Sequence, residues 1–267
     1  MTNNHIHMSE KPGTDILQVH NLNVYYGSFH AVDNVSFTVQ AGEIFGLLGP
    51  NGAGKTSTLS AVEGLLKPHS GSITVSGYDG IKKPLLARAL MGVQLQATSF
   101  QSELTIGEIL KLYAGIYGLA MTKEKLAEIL ADIKLSDAQN KKFGELSGGQ
   151  QQRVSLVIAT IHNPHLVLLD EPTTGLDPQA RRQLWERIEK IRENGHGVLL
   201  TTHSMEEAES VCDRIAIIDH GKVIEIDTPQ AMIDKHRNDP EVIAASRRGK
   251  ITLEDVFIGL TGRTIRE

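Results

Sequence analysis

The stretch Ile44-Phe45-Gly46-Leu47-Leu48-Gly49-Pro50-Asn51-Gly52-Ala53-Gly54-Lys55-Thr56-Ser57 decides the fold, because an apolar run turns there into a glycine-rich loop and then into a helical pattern. A short continuous apolar run fits a strand of a parallel sheet, buried on both faces. Residues 49–56 satisfy the spacing G-x-x-x-x-G-K-[ST], in the strand–loop–helix context that this spacing requires. Gly49, Gly52 and Gly54 let backbone N–H groups turn inward around phosphate oxygens without side-chain clashes. The helical pattern over 55–66 points its positive end at the same anion. Lys55 is placed to bridge β- and γ-phosphates, and the Thr56 hydroxyl to ligate Mg2+. Pro50, Asn51, Ala53 and Ser57 fill out the loop, and the expected ligand is a nucleotide.

Other apolar runs of strand length stand at 166–169, 198–200 and 215–218. The first ends abruptly in Asp170-Glu171-Pro172. Neighbours on an extended chain point to opposite sides, so the two acids are expected to divide the work. Asp170 is placed to hold Mg2+, directly or through water, and Glu171 to orient and deprotonate an attacking water. His203 follows the run at 198–200. The ends of parallel strands share one edge, where open α/β sheets bind ligands. The phosphate loop, both acids and His203 are therefore expected to converge.

Leu146-Ser147-Gly148-Gly149-Gln150 opens an amphipathic helical pattern that runs to about Ile161. Ser147 and Gln150 have the spacing of a capping box. A cap alone does not call for two glycines, which weaken a first turn. Gly148 and Gly149 leave backbone N–H groups open at a helix N-terminus, which makes a second anion site.

Around these motifs, residues 16–45 alternate apolar and polar positions with a turn near Gly27, and a second hairpin-like piece covers 71–78. Alternation indicates antiparallel strands with one wet face. Further helical patterns lie at 122–134, 150–162 and 178–194, the last opened by Asp177-Pro178, an N-cap with proline at the first helical position. The sum is an α/β core with an antiparallel strand layer near the N-terminus and a mostly helical insertion over about 97–162.

Composition narrows the functional classes. An apolar fraction of 40% and a charged fraction of 22% are those of an ordinary globular protein. Net charge is −5, with no dense basic block, so no nucleic-acid partner is expected, and Arg247-Arg248-Gly249-Lys250 reads as a solvated turn. The single cysteine, Cys212, excludes an intramolecular disulfide and reads as an inert buried thiol. No segment approaches the roughly 18 to 20 apolar residues of a membrane span. Residues 1–14, with His5 and His7 among polar neighbours, lack an apolar signal core and read as a disordered leader.

The order of phosphate loop, Gln96, Leu-Ser-Gly-Gly-Gln at 146–150, Leu-Leu-Asp-Glu-Pro-Thr-Thr-Gly-Leu-Asp at 168–177 and His203 resembles the ATP-binding subunits of ABC transporters over about residues 16–230. The resemblance implies a P-loop NTPase (RecA-like) core with an antiparallel β subdomain and a helical signature subdomain. It also implies ATP and Mg2+ as ligands, and a head-to-tail homodimer that forms on ATP binding. Each ATP would lie between one subunit's phosphate loop and the other's signature, formed by Ser147, Gly148, Gly149 and Gln150. Ser147 and Gly149 would touch the γ-phosphate of the opposite site, Asp177 would couple the two sites, and His203 would contact the γ-phosphate. Tyr26 would stack on adenine, with Tyr25 as the competing aromatic. Gln96 would sense the Mg2+ and relay to the membrane partner; Gln94 competes, and Gln96 is preferred because it directly precedes the helical insertion. Separate transmembrane permease subunits would hold the chain on the cytoplasmic face of the cell membrane as a peripheral subunit.

The expected division is a leader over 1–14, a nucleotide-binding domain over 15–230 and a C-terminal extension over 231–267. The tail Leu253-Glu254-Asp255-Val256-Phe257-Ile258-Gly259-Leu260-Thr261-Gly262-Arg263 looks like the ending of the drug-resistance and nodulation type of ABC exporter, although the stretch over 230–250 is shorter than in many relatives. Export of a drug, lipid or polysaccharide-like substrate follows as the expectation. An importer motor would share every catalytic residue, and a soluble ABC ATPase acting on ribosomes or DNA is the remaining alternative. Residues 99–119, with Phe100, Leu104, Tyr113 and Tyr117, are either local core or a groove for a helix of the membrane subunit.

Overall fold

The computed structural model describes residues 14–94, 100–246 and 250–262. Strands β1 (Asp15–Tyr26) and β2 (Phe29–Gln40) form an antiparallel hairpin whose turn uses Gly27 at φ 61°. Their alternation buries Val19, Leu22 and Val24 against Val32, Val35, Phe37 and Val39. Next come β3 (Ile44–Leu48) and α1 (Lys55–Val62). This helix stops short of the expected 66 because Gly64 takes φ 70°, and the Gly64 and Leu65 amides bond back to Ala61 and Ser60, the hydrogen-bonding habit of a glycine-terminated helix. Strands β4 (Ser70–Val75) and β5 (Tyr78–Asp79) complete a sheet of order β2-β1-β4-β5.

After α2 (Pro84–Ala89), β6 (Met91–Val93) adds an edge strand, three residues long, that no periodicity in the sequence announces. The helical insertion follows as α3 (Ile106–Ile116), α4 (Lys123–Asp132) and α5 (Gly148–Thr160). Its own core gathers Phe100, Ile109, Leu110, Leu130, Phe143 and Val157. Phe100 packs at 5.7 Å from Tyr113 and 4.8 Å from Phe143, so Phe100, Leu104 and Tyr113 serve local packing. Tyr117 instead lies outside that core, stacked at 3.9 Å on His162.

Strand β7 (Leu166–Asp170), α6 (Pro178–Glu193), β8 (Gly197–Thr202), α7 (Met205–Val211), β9 (Arg214–Asp219) and β10 (Lys222–Asp227) then finish the second sheet. Its order is β10-β9-β3-β8-β7-β6, parallel except for β10. The apolar runs at 44–48, 166–169, 198–200 and 215–218 are all fully buried inside it, as strands covered on both faces must be. One core lies between the two sheets, and a second lies on the other face beneath α6 and α7.

Helices α8 (Pro229–His236), α9 (Pro240–Ala245) and α10 (Leu253–Thr261) join that second core, where Leu253, Val256 and Phe257 have no exposed surface. Each such side chain contributes about 1.5–3 kcal/mol by leaving water. Cys212 is a free, buried thiol packed beneath β3, where a Cβ on Gly46 would lie 2.8 Å from its Sγ, and burial pushes its pKa up. Among the described residues no helix is long and apolar enough to cross a membrane. The leader at 1–14 (apart from Thr14), Gln96, the 247–249 turn and Arg263 lie outside the described residues.

Candidate nucleotide-binding and hydrolysis site

Between β3 and α1 the chain wraps through residues 49–54 and is clamped against β2 and β9. Gly54 caps α1 with φ 102° and no side-chain cap bond, a backbone conformation that glycine alone adopts freely. A Cβ there would stand 2.4 Å from the Ala31 carbonyl oxygen, and one on Gly49 would stand 2.2 Å from that of Ile218. The first turn of α1 carries no acid, so its positive end is left to an anion.

Lys55 is only 4% exposed, and its Nζ donates to the carbonyl oxygens of Gly49 (2.8 Å) and Pro50 (3.1 Å). The same Nζ lies 3.6 Å from Glu171 Oε1. Burial lowers the Lys55 pKa, against the opposing pull of Glu171 and Asp170. At Glu171 burial also disfavours the charge, but His203, with Nδ1 3.3 Å from Oε1, and Lys55 outweigh it and hold the carboxyl below its ordinary range.

Asp170 ends β7, and its Oδ1 accepts from the Thr201 hydroxyl at 2.5 Å and from the Thr56 hydroxyl at 3.4 Å. Simple strand alternation would send Glu171 to the far side. It does not, because Glu171 takes φ 44°, leaves the extended conformation and swings its carboxylate to the phosphate-loop side. Its backbone N–H is held by Thr201 Oγ1 at 3.0 Å. Thr201, at the end of β8, thus anchors both acids, a role the sequence showed only as a threonine pair before His203.

Tyr26, Phe29 and Ala31 line one cleft with Asn51, Gly52, Gly54, Lys55, Thr56, Ser57 and Glu171. The Tyr26 hydroxyl sits 3.3 Å from Ser57 Oγ, and both Tyr26 and Phe29 are exposed. Tyr25 is engaged elsewhere, stacked at 3.9 Å on His30. Phe29 carried no signal in the sequence beyond being an aromatic after the turn. Gln94 follows β6, buried, and its amide atoms have no hydrogen-bond partner among the described residues. Glu63, just after α1, was also missed; burial, with the nearby Asp170 charge, pushes its carboxyl up to about 7.

The signature residues sit elsewhere. Ser147 caps α5 in a full capping box, donating through its N–H to Gln150 Oε1 at 3.0 Å and accepting from the Gln150 N–H at 3.4 Å. A Cβ on Gly149 would meet that of Ala180 on α6 at 2.7 Å, whereas one on Gly148 would meet nothing within 4 Å. Packing accounts for the smallness of Gly149, and nothing in the packing accounts for Gly148. Ser147, Gly149, Gln150 and Asp177 line a cleft with Lys134 and Arg153, two cations the motif reading passed over. Asp177 itself accepts from the Gln179 and Ala180 amides at 2.9 Å as the N-cap of α6. No residue is shared between this cleft and the one around the phosphate loop.

A phosphate-cradling loop, acids at the end of a buried strand and a detached signature helix define a nucleotide hydrolase of the P-loop class. Residues 32–174 match the ABC transporter family. The chain is 36% identical to Nod factor export ATP-binding protein I of Sinorhizobium fredii, across 94% of this chain and 87% of that protein. It is 40% identical to the linearmycin resistance ATP-binding protein LnrL of Bacillus subtilis, across 80% of this chain and 69% of that one. A solved structure described as the ATP binding subunit of an ABC transporter superposes with a TM-score of 0.79 at 30% identity, covering 92% of this chain and 99% of that one. The chain belongs to the ABC transporter family, as an export-type ATP-binding subunit with ATPase activity, and it associates with membrane components of a transporter.

Proposed function

We propose that two copies of this chain close head to tail on ATP and that hydrolysis between them drives export through separate permease subunits. The observation that carries the dimer is the separation of its anion-binding devices. Gly148 and Gly149 open α5, and Ser147, Gly149 and Gln150 line a cleft with no residue in common with the phosphate-loop cleft, so one chain offers half of two sites. Within a site, the loop amides and Lys55 hold the β- and γ-phosphates while Tyr26 stacks on adenine. Glu171 takes a proton from the attacking water, whose oxygen bonds to the γ-phosphorus as the bond to the bridging β–γ oxygen breaks, releasing phosphate and ADP. His203 contacts the γ-phosphate, Ser147 and Gly149 reach it from the partner copy, Asp177 couples the sites, and Gln96 relays to the permease.

The Thr56 hydroxyl and the Asp170 carboxylate, within 3.4 Å of each other, form an oxygen donor set suited to Mg2+. Bound there, the ion would neutralise charge on the phosphates. Leu112 and Ile116 on α3, with Tyr117 at its end, expose apolar surface of the kind that receives a partner, and we assign to it a helix of the permease on the inner face of the membrane. The nucleotide-binding domain spans 15–230, and the described part of the extension that follows it joins the second core through Met232, Ile233, Val242, Leu253, Val256 and Phe257. The cargo in this reading is a drug, lipid or polysaccharide-like molecule; the relatives' printed roles, Nod factor export and linearmycin resistance, support export. The test is the ATPase rate per chain against protein concentration. A steep rise supports the dimer, and full turnover by a monomer contradicts it.

A further inference from the structure

We propose that Glu207 is a positioning residue for hydrolysis, a buried carboxylate that locks the loop after Glu171 to the strand end before His203. The proposal rests on the roles given above to Glu171 and His203. Glu207 is 6% exposed, and its Oε1 accepts from the Thr173 hydroxyl at 2.6 Å while its Oε2 accepts from the Thr202 hydroxyl at 3.2 Å. Arg181 Nε on α6 lies 3.4 Å from Oε1. Thr173 and Thr202 are themselves buried. Thr173 stands in the turn that Glu171 begins, and Thr202 is bonded directly to His203 in the chain.

Local helix chemistry would have used this side chain otherwise. Ser204 is the N-cap of α7 and accepts from the Glu207 N–H at 3.3 Å. In a capping box the glutamate would return the bond to the cap residue's own N–H. Here the Ser204 N–H donates to Thr202 Oγ1 at 3.0 Å instead, so the Glu207 carboxylate is free to reach across to Thr173. An apolar side chain would fill the same buried space without desolvating a charge. What only the carboxylate supplies is a two-oxygen bridge between β7's loop and the end of β8. With that bridge gone, Glu171 and His203 lose their common frame, and a displacement of about 1 Å at such a centre costs up to roughly 100-fold in rate.

The experiment measures kcat and KM for ATP on the full chain carrying Glu207→Ala, Glu207→Gln, Thr173→Val, Glu171→Gln and the double change Glu171→Gln/Glu207→Ala. Glu207→Ala and Thr173→Val are expected to lower kcat roughly 10- to 100-fold with KM within about 2-fold of the parent. Glu207→Gln, which keeps an acceptor for Thr173, should recover part of the rate, and the double variant should be no slower than Glu171→Gln alone. Parental kcat in Thr173→Val and Glu207→Ala overturns the proposal, as does a change confined to KM or a further, multiplicative loss in the double variant. If Glu207→Ala does not fold, the kcat of Thr173→Val decides. A fast Glu171→Gln would sink the underlying site reading, whereas a slow Glu171→Gln beside normal Glu207 and Thr173 variants would sink only this inference.

Discussion

Glu171 Oε1 lies 3.6 Å from Lys55 Nζ, so the residue proposed to activate water and the residue proposed to hold phosphate already face one another across the end of the parallel sheet. The contact exists because Glu171 turns out of the strand at φ 44° while α1 starts on Lys55 itself.

Glu171→Gln removes the base but keeps the size of the side chain and a hydrogen-bonding group for Thr174 and His203. Hydrolysis should fall by roughly 10²- to 10⁴-fold, with ATP affinity kept. Single-turnover hydrolysis together with equilibrium ATP binding separates the two. Unchanged turnover would remove Glu171 as the base.

Tyr26 and Tyr25 part company in the structure, one beside the phosphate loop and the other stacked on His30. Tyr26→Ala should weaken ATP binding by about 3- to 10-fold, the equivalent of one aromatic pair. Tyr25→Ala should leave the affinity unchanged. Fluorescent nucleotide titration reads both.

Gln94 buries an amide without partners among the described residues. Gln94→Met removes that unpaired group at nearly constant volume, so the chain should gain about 1–3 kcal/mol in stability. Urea denaturation measures it, and a loss of stability would show that the amide has a partner.

His236 ties α8 to β10 and to the start of α9, with Nε2 2.7 Å from Glu225 Oε2 and Nδ1 2.6 Å from Asp239 Oδ2. Burial opposes its charge, but these two carboxylates outweigh burial and raise its pKa above 6.5. A raised pKa in the folded state stabilises the protein fully below the unfolded value, and the gain is lost as pH rises through the folded one. The Tm deficit of His236→Gln should therefore be larger at about pH 6 than at about pH 9, as thermal melts across that range would show.

Much of this was legible in the sequence, and unevenly so. The buried strands and the phosphate loop were plain, because continuous apolar runs and a fixed glycine spacing each have one physical solution. Residues 55–66 overshot the helix by a turn, since the stop is made by Gly64 adopting a left-handed φ, a choice glycine has anywhere. Glu171 lies beside Lys55 and His203, as the shared strand edge led one to expect, but it gets there by a turn at φ 44° that strand alternation does not announce. Thr201, Thr202 and Glu207 were invisible because their partners are brought together by the sheet order, which joins β8 to β7 across a long stretch of chain.

The most direct measurement is magnesium-dependent ATP hydrolysis by the unmodified chain and by Lys55→Ala under identical conditions. The account predicts steady phosphate release by the first and almost none by the second, which would have lost its grip on the triphosphate. Equal rates from the two would contradict it.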